Sequence, residues 1–382
     1  MLDIKSLGLV RGLLKGYYEK TSGLAPKSIE KREFGFGDYE RKIAYRHYAF
    51  KNEKELKDYL LRNVPPFVSY SSAVYEKPDG RPMENKKLIG SDLVFDLDAN
   101  DLGLACSKEH GSAWVCDKCL DAIKDETIEL VENFLIPDFG FSLDDISMNF
   151  SGNRGYHVHV VNESVFNLDA NARTQISDYI TGKGIDLNAF FPALGKRGVR
   201  LDGPKPTDLG WGGKFANGII SALNNGKSSL LELGIDQKSA NILVRKSPEI
   251  IFGITTGNWD KVNIPKKTEF WSNVLKSIAI KQSESIDRGV VNDVYHLIRL
   301  PNTIHGDTGL VAMKVDSLKA LNDFDPMTKA IAFKEGMVRV KTGKVPAFEM
   351  NGSEFGPFDG NEVELPTYAA VYIVLKRLGS AV

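Results

Sequence analysis

Two aspartates, Asp96 and Asp98, sit two residues apart in the apolar run Val94-Phe95-Asp96-Leu97-Asp98. On a strand, alternate side chains share a face, so both carboxylates would point the same way. Neighbouring carboxylates repel each other, and hard cations such as Mg2+ or Mn2+, which take oxygen ligands, relieve that repulsion. Cations held in this way can bridge substrate phosphates during in-line phosphoryl transfer. The same pair also arises where a strand end faces water, so taken alone it marks a candidate only. Asp92 and Asp101 share the acidic neighbourhood, but their order along the strand makes them poorer ligands.

The only three cysteines of the chain, Cys106, Cys116 and Cys119, converge with His110 in the pattern C-x3-H-x5-C-x2-C. An odd, clustered set is a poor disulfide framework and a good metal-ligand set, and it suits a reducing compartment. Thiolates and an imidazole at these spacings can close a tetrahedral zinc site, which with four protein ligands would be structural and not catalytic. Buried free thiols beside an unrelated surface histidine are the plainer alternative.

Two further segments carry donors. Ser151-Gly152-Asn153-Arg154-Gly155-Tyr156-His157-Val158-His159 has glycines that let the backbone pass close to a ligand, and side chains of phosphate-binding type. A surface β-turn carrying an arginine would read the same way. His157 and His159 share a strand face and could both reach a site. Later, Asp287 precedes Arg299 and His305 in a Pro- and Gly-marked stretch running through Pro301, Gly306 and Gly309; Asp293 is a second acid that spacing alone does not exclude, and a surface loop is the bland reading.

Elements must position these groups. Apolar spacing predicts a helix over Ser6–Tyr18, a strand pair at 33–36 and 42–46, and a helix over Glu53–Arg62. A buried strand is expected within Lys87–Asp98, two more at 146–150 and 156–161, a helix at 270–280, a return to strand at 310–315, and a closing apolar helix after Pro366. Together these make a mixed sheet with helices. Between 172 and 262 the texture changes to Gly-rich turns and short amphipathic stretches, read as a helical insertion.

With 382 residues, 42% hydrophobic and 26% charged, the chain fits a soluble globular enzyme, and no apolar stretch is long enough to span a bilayer. The N-terminus lacks a secretory pattern, so an intracellular protein is expected. The net charge of -1 gives no global sign of a nucleic-acid partner. Locally, residues 183–247 carry ten basic and five acidic side chains, Lys196, Arg197 and Arg200 among them, which is either a nucleic-acid-binding patch or a solvated helical surface.

Taken in order, these segments resemble the catalytic small subunit of the archaeal and eukaryotic DNA primases, the archaeal branch more closely. The resemblance spans most of the chain and rests on Arg32-Glu33-Phe34-x-Phe36, Asp96-x-Asp98, the Cys/His cluster, Ser151-Gly152-x-Arg154-Gly155-x-His157 and Leu297-Ile298-Arg299-x-Pro301-x3-His305. It implies an α/β (α+β) primase catalytic core on a mixed sheet, residues 1–171 and 263–382, with a zinc motif at about 104–122 and the helical insertion at 172–262.

The implied activity is two-metal nucleotidyl transfer, adding ribo- or deoxyribonucleotides to a short RNA primer opposite single-stranded DNA. Under that resemblance Asp96, Asp98 and Asp287 (rather than Asp293) bind Mg2+ or Mn2+. Ser151, Arg154 and His157 cradle the triphosphate, with Arg46, Arg299 and His305 as further nucleotide contacts. Cys106, His110, Cys116 and Cys119 hold Zn2+. The resemblance departs at Asp307, where the family commonly has Lys. It also implies a heterodimer with a large subunit carrying an iron-sulfur cluster, for which this chain has no spare cysteines, and a cytoplasmic, nucleoid-associated location. A repair-type primase-polymerase extending DNA ends would share the aspartate pair but not the zinc cluster. A nucleic-acid-binding scaffold would have lost a carboxylate, and a metal-dependent nuclease would need no triphosphate cradle.

Overall fold

The computed structural model describes residues 2–191, 200–261, 273–274, 278 and 287–382. The chain divides into two compact units, one made of residues 1–129, 142–174 and 285–382, the other of 130–141 and 175–284. The first unit is an α/β core. Its leading strands are β1 (Phe34–Gly37), β2 (Tyr45–Tyr48), β3 (Phe67–Ser71), β4 (Ala73–Tyr75), β5 (Leu88–Ser91), β6 (Leu93–Asp98), β7 (Ile146–Phe150), β8 (Gly155–Val160), β9 (Leu297–Arg299) and β10 (Met313–Val315). They form two four-stranded sheets, ordered β2-β1-β3-β9 and β10-β7-β8-β6, with β4 and β5 as a separate pair. Every pairing among these described strands is antiparallel.

The local reasons are readable. The first helix, Ile4–Lys20, starts where the Asp3 carboxylate accepts the Ser6 N–H at 3.0 Å, and it buries Val10, Leu14 and Tyr18 at helical spacing. The helix Glu53–Asn63 is capped by Asn52 and ends at Val64 in a left-handed conformation, just before Pro65-Pro66. Thr367–Leu375 is buried at every position, as its unbroken apolar sequence requires, and closes the core.

The expected single strand within 87–98 is in fact two, because Asp92 interrupts it. Its N–H donates to Ser72 O at 3.0 Å and its carboxylate meets Arg32 Nη2 at 2.8 Å, so β5 pairs with β4 while β6 turns to β8. Arg32 also donates to the carbonyls of Ser71 and Ser72. The return to strand near 310–315 is confined to Met313–Val315.

The second unit contains the helices Gly210–Asn224, Lys227–Glu232, Gln237–Arg245 and Ser247–Thr255, cored by Trp211, Phe215, Leu230, Leu243 and Ile250. Inside it, Asp138 accepts from Lys214 Nζ at 2.6 Å and from the Tyr179 hydroxyl at 3.0 Å. Of the basic residues expected to form a patch, Lys196 and Arg197 lie outside the described residues, as does most of the expected helix at 270–280. Arg200 pairs with Asp202 at 2.6 Å. No helix among the described residues is long and apolar enough to cross a membrane.

The Arg32–Asp92 pair is buried, at 4% and 6% side-chain exposure. Deleting one partner leaves the other, buried charge without its ionic partner. We expect Asp92→Ala to lower unfolding free energy by about 3–5 kcal/mol, measured by urea denaturation; a loss below about 1 kcal/mol would mean that Arg32 finds equivalent partners.

Candidate active site

β6 is the edge strand of its sheet and pairs with β8 so that Asp96 lies opposite His157 and Asp98 opposite Gly155. Strand periodicity therefore puts both carboxylates on the His157 face. His157 Nε2 stands 3.5 Å from Asp96 Oδ1. The helix Arg288–Asn292 packs beside β6, and the Asp287 N–H donates to Asp96 O at 3.1 Å. The Asp287 carboxylate caps that helix by accepting the Gly289 N–H at 2.7 Å. Asp293, at the other end of the helix, accepts the Tyr295 N–H and faces His296.

The bend between β7 and β8 fits against this edge because of its glycines. Gly152 has φ +84°, and a Cβ there would lie 2.8 Å from His305 Cβ; at Gly155 a Cβ would lie 1.9 Å from Leu97 O on β6. Any larger residue at Gly155 would push the two strands apart. Arg154 is thereby delivered to Asp98, donating through Nε at 2.6 and 2.9 Å to the two carboxylate oxygens, while its Nη1 donates to Ser112 O at 3.0 Å.

A cleft of about 220 Å³ is lined by Asp96, Asp98, Ser151, Asn153, Arg154, His157, Arg299 and His305, together with Lys42, Ser69 and His296. Burial, then the charges of Asp98 and Asp287, push Asp96 up to about 7. Such a carboxyl stabilises the fold below its unfolded pKa of about 4, and that contribution is lost as pH rises through the folded value. Its ionised form is thus the costly one near neutrality, and a cation would relieve the cost.

The opposite wall is cationic. Arg299, 8% exposed, donates Nη1 to Val68 O at 3.1 Å and lies 5.0 Å from the Phe67 ring centre, while its buried Nε has no hydrogen-bond partner among the described residues. Burial draws its pKa down to about 10. His305 Nδ1 accepts the Asp307 N–H at 3.2 Å, which assigns the ring proton to Nε2. Burial holds both His157 and His305 well below the ordinary imidazole range, so both are neutral near pH 7.

Of the residues expected in the active site, Arg46 and Asp287 are not among those lining the cleft; Asp287 stands beside it through its backbone contact to Asp96, and Arg46 is held by an acid. Its Nε and Nη2 grip Glu33 at 2.9 and 3.1 Å, and Glu33, fully buried, also receives the His47 N–H and Lys86 Nζ. His159 faces a neighbouring cavity beside Tyr70 and Asn149. Two cations escaped the reading of the sequence. Lys42, in the turn between β1 and β2, lines the cleft. Lys376, just past the buried C-terminal helix, donates to Asn153 Oδ1 at 3.3 Å and to Ala113 O at 2.9 Å, and burial draws it down to about 8. Nothing local in either stretch marks it; only the packing of distant elements does.

Apart from the cleft, Cys106, His110, Cys116 and Cys119 bring one ligand atom each to within 4.8 Å of all the others. Cys106 Sγ and His110 Nε2 lie 3.4 Å from Cys119 Sγ, and Cys116 Sγ 3.6 Å from it. The edge of a tetrahedron with metal–sulfur bonds of 2.3 Å is about 3.8 Å. His110 Nδ1 is 2.9 Å from Gly111 O, so with its proton there Nε2 is the free ligand nitrogen. The cluster could hold a metal such as zinc.

Residues 95–317 match the family described as "DNA primase small subunit". Over nearly full length the chain is similar to curated proteins named DNA primase small subunit PriS. Identity is 34% to that of Methanothrix thermoacetophila, covering 98% of both chains. It is 33% to that of Thermoplasma volcanium, covering 98% of this chain and 97% of the relative. The relative from Picrophilus torridus is 31% identical over 95% of each chain.

The close approach at Gly155 gives a direct check on this geometry. We expect Gly155→Ala to cost about 1–3 kcal/mol of stability through forced separation of β6 and β8, read from thermal unfolding; an unaltered Tm would mean that the strands tolerate a Cβ between them.

Proposed function

The chain belongs to the DNA primase small subunit family, and from that premise we propose that it synthesises short primers on single-stranded DNA by metal-dependent nucleotidyl transfer. The observation that carries the reading is a single cleft in which β6 sets Asp96 and Asp98 on one face, with Lys42, Arg154, Arg299 and His305 lining the same space. An oxygen-only donor set of this kind suits Mg2+ or Mn2+, held by Asp96, Asp98 and Asp287. Bound there, such cations would activate the primer 3'-hydroxyl and stabilise the leaving pyrophosphate.

The remaining chemistry belongs to the chain's own side chains. Arg299 lines the cleft with a guanidinium that remains cationic, a group suited to a phosphate oxygen. His305, protonated on Nε2 and neutral, can donate to a second oxygen without adding charge. Arg154 has a dual task. Turning from Asp98 to an incoming phosphate, it exchanges one anion for another and frees Asp98, while Nη1 keeps its grip on Ser112 O. Ser151 supplies a hydroxyl at the start of the bend.

We assign the Cys/His cluster to structural Zn2+, since four protein ligands leave no open coordination place. The small-subunit family implies a large-subunit partner in a primase complex. We propose that this partner carries the iron-sulfur cluster, because the only three cysteines here belong to the zinc set. Template contact through the basic segment 183–247 is part of the same proposal.

Purified chain should make dinucleotides and longer primers on single-stranded DNA with Mn2+ or Mg2+. We expect Asp96→Ala and Asp98→Ala each to reduce this synthesis at least roughly a thousandfold, with the thermal unfolding of Asp96→Ala no lower than wild type because a costly carboxylate is gone. Residual synthesis within tenfold of wild type would remove these residues from the reaction. Elemental analysis should find about one zinc per chain, lost in Cys119→Ser; native protein without zinc would overturn the cluster assignment.

A further inference from the structure

We infer that Lys376 is a positioning residue of the triphosphate cradle, a role that rests on the nucleotidyl-transfer reading of the cleft. Thr367–Leu375 is an apolar helix with every residue buried, and Lys376 is the first position beyond it. The direction of its side chain is set by the helix packing. Its ammonium stands 5.5 Å from the Tyr372 ring centre, donates to Ala113 O at 2.9 Å and donates to Asn153 Oδ1 at 3.3 Å.

The neighbouring contact gives this arrangement its meaning. Arg154, next to Asn153, donates Nη1 to Ser112 O, next to Ala113, at 3.0 Å. Two successive carbonyls of the loop joining His110 to Cys116 therefore hold two cations, and two successive residues of the Ser151–Gly155 bend are tied to that loop. One tie is direct and the other runs through Lys376. If Arg154 swings from Asp98 to a phosphate, Ser112 O is its pivot, and Lys376 fixes both the loop that supplies the pivot and the bend that carries the arginine.

Its charge fits the same place. The acids Asp307 and Asp98 and the cations Arg154 and Lys42 all act on the Lys376 ammonium. Asp307 adds negative charge to the loop that carries His305, on the side where an anionic ligand needs the reverse. Lys376 offsets it from another element. An ammonium has three donors, so the two contacts described leave one for a further acceptor.

The test uses the full chain as wild type, Lys376→Gln, Lys376→Arg, Asn153→Ala and the double variant Asn153→Ala/Lys376→Gln. Binding of ATP with Mn2+ is measured by calorimetry and primer extension by steady-state kinetics, with Tm and zinc content alongside. Lys376→Gln should raise KM for nucleotide about tenfold with a much smaller fall in kcat, as loss of a charge-assisted tether predicts, and Arg should restore most of the loss. Asn153→Ala should raise KM similarly, and the double variant should add little, because both changes cut one tether. An unchanged KM in Lys376→Gln, additive effects, or a KM rise that tracks falling Tm and is not rescued by Arg would overturn the inference while leaving the reaction intact. Wild type that neither binds ATP with Mn2+ nor extends a primer would overturn the functional reading, and the inference with it.

Discussion

The register between β6 and β8 is the constraint on which the site depends. It sets Asp96 against His157 and Asp98 against Gly155, and it holds only because Gly155 has no Cβ to strike Leu97 O. A shift by one residue would turn both aspartates to the opposite face and carry Arg154 away from Asp98. The β7–β8 bend, the edge strand and the cation that links them are consequences of one strand pairing. Helix Arg288–Asn292 completes the edge, since the backbone of Asp287 joins Asp96 O and brings a third negative charge alongside.

Within the cleft, charge is sorted by element. The lining acids, Asp96 and Asp98, come from β6, with Asp287 at the start of the neighbouring short helix, while the cations come from the β1–β2 turn, the bend and β9. Burial then decides which groups stay charged. His157 and His305 are driven neutral and become plain hydrogen-bonding groups, whereas Arg299 remains cationic even with its pKa drawn down to about 10. The cleft therefore presents guanidinium and ammonium charge alongside neutral imidazole. That mixture limits the stacking of like charges against one another.

Much of this was legible in the sequence because its signals are local. Period-2 spacing put Asp96 and Asp98 on one face, and the Cys106, His110, Cys116 and Cys119 spacing brought four ligand atoms together. What escaped is non-local. Asp92 reads as part of a continuous strand until Arg32, sixty residues earlier in the chain, is seen to bind it and break the ladder. Lys376 follows an apolar helix as an ordinary polar terminus, and only tertiary packing brings it to Asn153. Arg46 carries the right chemistry for a phosphate, yet its geometry belongs to Glu33. Spacing between Asp287 and Asp293 was likewise mute, whereas the fold separates them to opposite ends of one helix.

The contrast between Glu33 and Asp96 separates charges that build the fold from charges that await something. Glu33 is fully buried, and its oxygens receive Arg46, the His47 N–H and Lys86, so burial is offset and its pKa ends below the ordinary carboxylate value. Asp96 has a neutral imidazole at 3.5 Å and two like charges nearby, and its pKa moves the other way, to about 7. Arg299 shows the same incompleteness in a cation, with a buried Nε lacking an acceptor among the described residues. A fold selected for stability alone would close both gaps by pairing acid with guanidinium, as it does at Arg32 and Asp92. Leaving an anion under-compensated on one wall and a cation under-compensated on the other costs stability. The return is a cleft polarised between anionic and cationic groups, the charge pattern that the proposed metal-bound nucleotide would complement.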